Sequence, residues 1–241
     1  MDTAAFVDEI IARLEAAHSP ARREHAEGYT PTAMRHIGVT VPDMRAVVRD
    51  VSKRIKGEPA DAVLALAQAL IAAGTFEGQL AAFEIVARHA PAVATLDATT
   101  LEALGSGIDN WASVDTFATN LSGQAWREGR ISDARVARWA RSRDRWWRRT
   151  ALVSTIPLNM RSRGGKGDPA RALAICEMLA EDHDDMVVKA LSWALREVLP
   201  HDRDAVERFI AEHEQTLAKR VLREVRTKLE HGKKNVKKRG S

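Results

Sequence analysis

Cysteine is nearly absent from this 241-residue sequence, where Cys176 stands alone. A single thiol excludes an intrachain disulfide and leaves a cysteine-based zinc site without ligands. Tyrosine is equally scarce, with Tyr29 the one example, and aromatic residues make up 5% of the chain. No apolar run approaches the ~20 residues that a membrane span needs. The first residues carry Asp2, Asp8 and Glu9 and no basic stretch, which argues against a signal peptide. Strand-like alternation and Asn-Gly hairpin turns are missing. Gly164, Gly165 and Gly167 surround Lys166 but lack the Gly-Lys-Ser/Thr context of a P-loop. Neither a His-Glu-x-x-His helix nor a Gly-x-Ser-x-Gly elbow occurs. His183–Asp184 has no third ligand at metal spacing and reads as a solvated helix start. Neither metal nor cofactor is therefore expected, and a cytoplasmic monomer is.

Helical periodicity is what the sequence has in abundance. Ala60 to Ala73 is an alanine- and leucine-rich run closed by Gly74. Leu80 to His89 repeats apolar residues at helical spacing before Pro91. Further helices are expected over Val41 to Lys53, Ser132 to Ala140, Trp146 to Ile156, Pro169 to Leu179, Met186 to Val198, Arg203 to His213 and Thr216 to Glu230. Proline breakers recur between them, so the rhythm suits short antiparallel helices stacked as a solenoid of about six pairs. The expected fold is all-α, a HEAT-like helical-repeat solenoid over residues 1–231, followed by a disordered basic tail over 232–241. Arg161 to Asp168 is expected to be a second loose segment, rich in glycine.

Charge is unevenly distributed. The net charge is +4, yet Lys228 to Ser241 holds six basic residues against one acidic one. Residues 58–115 hold eight acids and one base, whereas residues 128–163 hold ten arginines and three acids. Such polarity suits a face that meets a polyanion, although charge blocks often only coat a solvated surface.

The six tryptophans are the unusual residue type. Singly, each is expected in the core. Trp111 and Asp115 stand at i and i+4, which places a carboxylate and an indole on one helical face. A helix cap or an ion pair with an arginine is the alternative use of that carboxylate. Trp146-Trp147-Arg148-Arg149 sets aromatics beside guanidiniums, and Trp193 lies within an amphipathic run.

These segments together resemble the DNA alkylation repair family, the HEAT-like alkylpurine DNA glycosylases. Trp111-Ala-Ser-Val-Asp115 resembles the family's Trp-Asp-Ser-Val-Asp motif. Tyr29, followed by Ile37-Gly38-Val39, Pro42 and Arg45, resembles its Tyr and Gly-Val/Ile-x-x-Pro-x-x-Arg elements. Trp147-Arg148-Arg149-x-Ala151 resembles its Trp-x-x-Arg-x-Ala segment, and Ala190 to Glu197 its Ala-Ile-Gly-Trp-x-Leu-Arg-Glu helix. The sequence departs from the pattern at Asn110, at Ala112 and around Tyr29.

The resemblance implies a DNA repair glycosylase that hydrolyses the N-glycosidic bond of N3- or N7-alkylated purines in double-stranded DNA, without base flipping. It implies Asp115, Trp111 and Trp193 as catalytic residues. It also implies DNA contacts from Tyr29 and from Arg149, with Arg148 as its neighbour, and the basic tail adds Lys233, Lys234, Lys237 and Lys238. Two other readings stay open on the sequence: a non-catalytic binder of damaged or branched DNA, and a HEAT-type protein-interaction scaffold.

Overall fold

The computed structural model describes residues Met1 to Lys234. Its backbone is a succession of helices that fall into two compact units, Met1–Ala125 and Trp126–Ser241. No strand occurs among the described residues; the one bridge joins Arg35 to Thr75. The all-α expectation therefore holds, as a helical-repeat fold.

The first unit contains α1 (Thr3–Ala16), α2 (Pro20–Tyr29), α3 (Val41–Arg54), α4 (Ala60–Ala72), α5 (Phe76–Arg88), α6 (Ala90–Ala94), α7 (Ala98–Gly105) and α8 (Trp111–Phe117). One π-turn, Ala118–Ser122, follows α8 and leads into α9 (Gly123–Arg127). The fifth helix is the hub. All of Phe76 to Val86 is buried, and α3, α4, α6 and α8 pack around it. Burial extends even to Glu77, because its carboxylate accepts the backbone N–H groups of Ile37 and Gly38, both at 2.8 Å, and of Val39 at 3.1 Å. Three charge-assisted bonds offset the cost of desolvating that side chain.

This contact gives the Ile37-Gly38-Val39 element its physical meaning. Gly38 has φ +92°, and a Cβ there would lie 2.6 Å from the Arg23 Cβ. Only glycine allows the chain to pass so close to α2 while presenting three amides to Glu77. Downstream, Thr40 caps α3, Pro42 sits in its first turn and Arg45 reaches Glu84 at 2.8 Å.

The second unit contains α10 (Asp133–Ala140), α11 (Arg145–Val153), α12 (Ile156–Asn159), a 3₁₀ turn (Arg161–Arg163), α13 (Pro169–Met178), α14 (Asp185–Val198), α15 (Arg203–Glu212) and α16 (Lys219–His231). Here α14 is the hub, touching α11, α12, α13, α15 and α16. Asp184 caps it by accepting from Met186 N and Val187 N, so His183–Asp184 is a helix start as expected. No group of potential metal ligands occurs among the described residues.

The glycine-rich Arg161–Asp168 segment is not loose, which corrects the expectation from composition. Gly165 N and Gly167 N donate to the carbonyls of Met160 and Leu158, and Asp168 N donates to Asn159 Oδ1. A Cβ on Gly165 would meet the Asn159 backbone at 2.8 Å. The glycines are there for close backbone packing, a use that composition alone does not distinguish from flexibility.

Candidate functional site

The Trp111–Asp115 face is built by a short helix whose two sides do different work. Val114 and Phe117 are fully buried, and the Phe117 ring meets Phe83 of α5 with centroids 5.4 Å apart. Each such side chain contributes about 1.5–3 kcal/mol by leaving water. On the opposite side, Trp111 and Asp115 are half-buried, one turn apart. Asn110 starts the helix: its Oδ1 accepts from Ser113 N at 2.8 Å, and its Nδ2 donates to Ser113 Oγ at 3.0 Å. With that cap in place, Asp115 is a mid-helix residue and not a cap. The π-turn begins three residues later, and Thr119 Oγ1 donates to the Asp115 carbonyl at 2.7 Å. Such turns concentrate at functional positions.

Tyr29 joins this face. Its ring is 64% exposed and stands at 88° to Trp111, with centroids 5.4 Å apart. Trp111 Nε1 donates to the Tyr29 carbonyl at 3.4 Å, and His25 stacks on the other side of the tyrosine. The structure thus brings together three residues that lie up to 86 positions apart in the chain: Tyr29, Trp111 and Asp115.

Asp109 is a member of this group that sequence reasoning missed. Its two carboxylate oxygens accept from Thr32 Oγ1 at 2.5 Å and Ala33 N at 2.6 Å. Burial works against its charge, but the donors from Ala33, Thr32 and Asn110 outweigh it and hold the carboxyl below the ordinary aspartate range. The cap signal Asn110-x-x-Ser113 was readable in the sequence; the long-range partners of Asp109 were not.

The remaining predicted residues belong to the second unit. Trp193 is half-buried on α14, and its Nε1 donates to Glu197 Oε1 at 3.1 Å, one turn on. Arg148 is spent on the framework: Nε donates to Asp182 at 2.6 Å, and Nη1 to the carbonyls of Ser142 and Arg143. Arg149 is 5% exposed, and its Nη1 donates to the Met186 carbonyl at 2.5 Å, tying α11 to the first turn of α14. Of the six tryptophans, Trp126 and Trp139 are core residues and the other four are half-buried.

Beside Trp193, Ser192 opens a buried ionic cluster. The Glu224 carboxylate, 5% exposed, accepts from Ser192 Oγ and Arg196 Nη1, both at 2.7 Å, and from Arg220 Nε at 3.1 Å. Lys234 reaches the same carboxylate at 3.5 Å, so the start of the basic tail folds back onto the helices. Lys233 is exposed, and Lys237 and Lys238 lie outside the described residues.

Charge divides sharply between the units. The first has 16 acidic and 10 basic residues, the second 17 acidic and 27 basic, giving −6 and +10. Much of the second unit's positive charge is paired internally, as at Arg130–Glu128, Arg171–Asp168 and Arg226–Glu214. Arg138, Arg141 and Arg143 are exposed and make no ion pair among the described residues.

Comparison with known proteins bears on the fold and the family. No curated protein matches the sequence. A solved structure, a predicted DNA alkylation repair enzyme from Enterococcus faecalis, superposes with a TM-score of 0.71 at 17% identity. That match covers 89% of this chain and 97% of the other, and it establishes a shared fold. The family described as DNA alkylation repair enzyme matches residues 10–229, nearly the whole described chain, and the protein belongs to that family.

Proposed function

We propose that the protein is a DNA glycosylase that hydrolyses the N-glycosidic bond of N3- or N7-alkylated purines in duplex DNA. The observation that carries the reading is the Tyr29–Trp111–Asp115 face, an aromatic surface with a carboxylate one turn away, in a member of a DNA alkylation repair family.

An N3- or N7-alkylated purine is cationic and already a good leaving group. General-acid help is therefore small, and the barrier lies in the oxocarbenium-like sugar that develops as the bond breaks. A fixed carboxylate next to that sugar stabilises the growing positive charge, and electrostatic stabilisation of this kind is often what lowers a barrier most. The same group orients the attacking water. Asp115 takes this role. The electron-rich face of Trp111 favours a cation by its quadrupole. Tyr29, the most exposed large ring, suits contact with the DNA itself. These groups are suited to a sugar and not to reading base edges, consistent with excision that leaves the base unflipped.

Affinity for duplex DNA comes from unpaired cations of the second unit. Arg138, Arg141 and Arg143, together with Lys233 and the further lysines of the tail, supply sequence-independent phosphate contacts. Arg148 and Arg149, expected from the sequence to hold phosphate, are assigned here to holding α11 in place.

Asp115→Asn tests the reading. The variant keeps the shape and loses the charge. It should bind alkylated duplex DNA as the parent does and release 7-methylguanine about 10²–10³-fold more slowly. A folded, DNA-binding Asp115→Asn protein with near-parental release would overturn the assignment. DNA binding without any release by the parent protein would favour a non-catalytic binder.

A further inference from the structure

The second helix is anomalous. None of its ten residues is buried, from Pro20 to Tyr29. A helix with no buried face gains little from packing and is set by its attachments. The attachments at its base are firm: Ser19 N donates to the Gly38 carbonyl, Gly38 packs against Arg23, and Glu77 holds the amides of residues 37–39. At its far end, where Tyr29 lies, the direct bond from Trp111 Nε1 is long at 3.4 Å. The short contacts there are the buried Thr30 carbonyl with His36 Nε2 at 3.0 Å and, further along the arm, Asp109, which grips Thr32 and Ala33 just beyond the helix.

We propose that Asp109 is a positioning residue whose carboxylate latches the Tyr29 arm to the start of α8 and thereby sets the Tyr29 ring against Trp111. The inference rests on the reading of Tyr29 and Trp111 as substrate-facing groups for its catalytic consequence, and on geometry alone for the latch. Asp109 immediately precedes the Asn110 cap, and Asn110 Nδ2 donates to it at 3.2 Å. The residue that fixes the arm is therefore continuous with the one that fixes the Trp111 helix. Both of its oxygens are engaged with the arm, one with a side chain and one with the backbone, which defines direction as well as distance. Ala33 is exposed, so water can satisfy its amide once the latch is removed. Removing Asp109 should thus release the arm without unfolding the unit.

The protein carries its own probe, because Tyr29 is its single tyrosine. Tyrosine labelled at its ring ε carbons gives one signal in an NMR spectrum, shifted by the neighbouring Trp111 ring. Asp109→Ala should move that signal toward the position of a free tyrosine and speed hydrogen exchange at the Ala33 amide at least about tenfold. Thr32→Val, which cuts the same latch from the arm's side, should move the signal in the same direction by less. An unmoved tyrosine signal in either variant overturns the latch, and an unfolded Asp109→Ala protein leaves Thr32→Val to decide. A double-mutant cycle reads the consequence. Asp109→Ala and Tyr29→Ala should each slow 7-methylguanine release about tenfold, and the double variant should lose no more than Tyr29→Ala alone. Additive losses overturn the positioning role. If the parent releases no base, the glycosylase reading fails separately; the cycle is then measured as DNA affinity, and the tyrosine signal still decides the latch.

Discussion

The two units solve the problem of a hub helix in opposite ways. In the first, Glu77 of α5 holds backbone, taking three amides of the 37–39 segment, and Asp109, just before α8, does the same for the Ala33 amide of the Tyr29 arm, while the other buried acid of α5, Glu84, pairs with Arg45 and Arg88. In the second, α14 is surrounded by guanidiniums, which bind carboxylates and helix-end carbonyls: Arg148 with Asp182, Arg149 with Met186, Arg196 with Glu224. The unit with net negative charge carries the carboxylate proposed for chemistry. The unit with net positive charge spends many of its arginines on itself. A count of arginines therefore overstates the charge on offer to DNA, and the unpaired ones are a better guide to the interface.

The largest stability effect expected from this contrast is at Glu224. It is buried among Arg196, Arg220, Lys234 and the Ser192 hydroxyl, and its neutralisation would leave Arg196 and Lys234 without their paired carboxylate, while Arg220 keeps Asp185. Glu224→Gln should cost about 3 kcal/mol, read as a fall in thermal midpoint. The pH dependence follows from the same cluster. Burial opposes the charge, but the donors prevail and hold the carboxyl below its ordinary 4.5. A lowered native pKa means that the stabilisation is complete above the unfolded value and is lost as pH falls through the native one. The parent should keep its midpoint from neutral pH down to about 5 and lose it below, and Glu224→Gln should flatten that loss. A Glu224→Gln protein as stable as the parent would show that the second unit does not depend on this internal pairing.

A smaller effect separates paired from unpaired arginines. Replacing Arg138, Arg141 and Arg143 together by alanine should weaken duplex binding and reduce the slope of log affinity against log salt by about 2–3, near 0.9 per lost phosphate contact. Base release at saturating DNA should hardly change. Arg149→Ala should instead lower the melting temperature, because it removes the buried guanidinium that ties α11 to the Met186 carbonyl of α14. A salt slope that falls with Arg149→Ala and not with the triple variant would reverse the assignment.

Much of this is legible in the residues alone. Local rules located α3 to α5, α10, α11 and α13 to α16 to within a few residues, with Gly74 after α4, Asp184 before α14 and Pro169 opening α13, but left α1 and α2 unassigned. The Trp111–Asp115 pairing also followed from period alone, since i and i+4 share a face whatever lies around them. What failed to show were contacts between distant positions. Nothing in Glu77 announces that it serves residues 37–39, forty positions earlier, and nothing in Arg149 separates a buried framework guanidinium from an exposed one. Glycine misled in the same manner: Gly165 looked like slack and is a close-packing point, because its partner is the Asn159 backbone and not its neighbours.

The smallest predicted effect distinguishes the cap of α8 from the latch beside it. Asn110 is 1% exposed and does two things: its Oδ1 caps the helix through Ser113 N, and its Nδ2 reaches Ser113 Oγ and Asp109. Asn110→Ala removes both and should cost about 1 kcal/mol, within the range for losing a helix cap. Asn110→Ser restores a cap oxygen while removing the Nδ2 bonds, so a few tenths of a kcal/mol should remain if capping dominates. The tyrosine signal then tells which contact sets the geometry. With Asp109 as the latch, Asn110→Ser should leave the Tyr29 resonance in place, because the Thr32 and Ala33 contacts survive. A Tyr29 signal displaced by Asn110→Ser as far as by Asp109→Ala would transfer the control of that face from the carboxylate to the cap, since only the bond at 3.2 Å joins the two side chains.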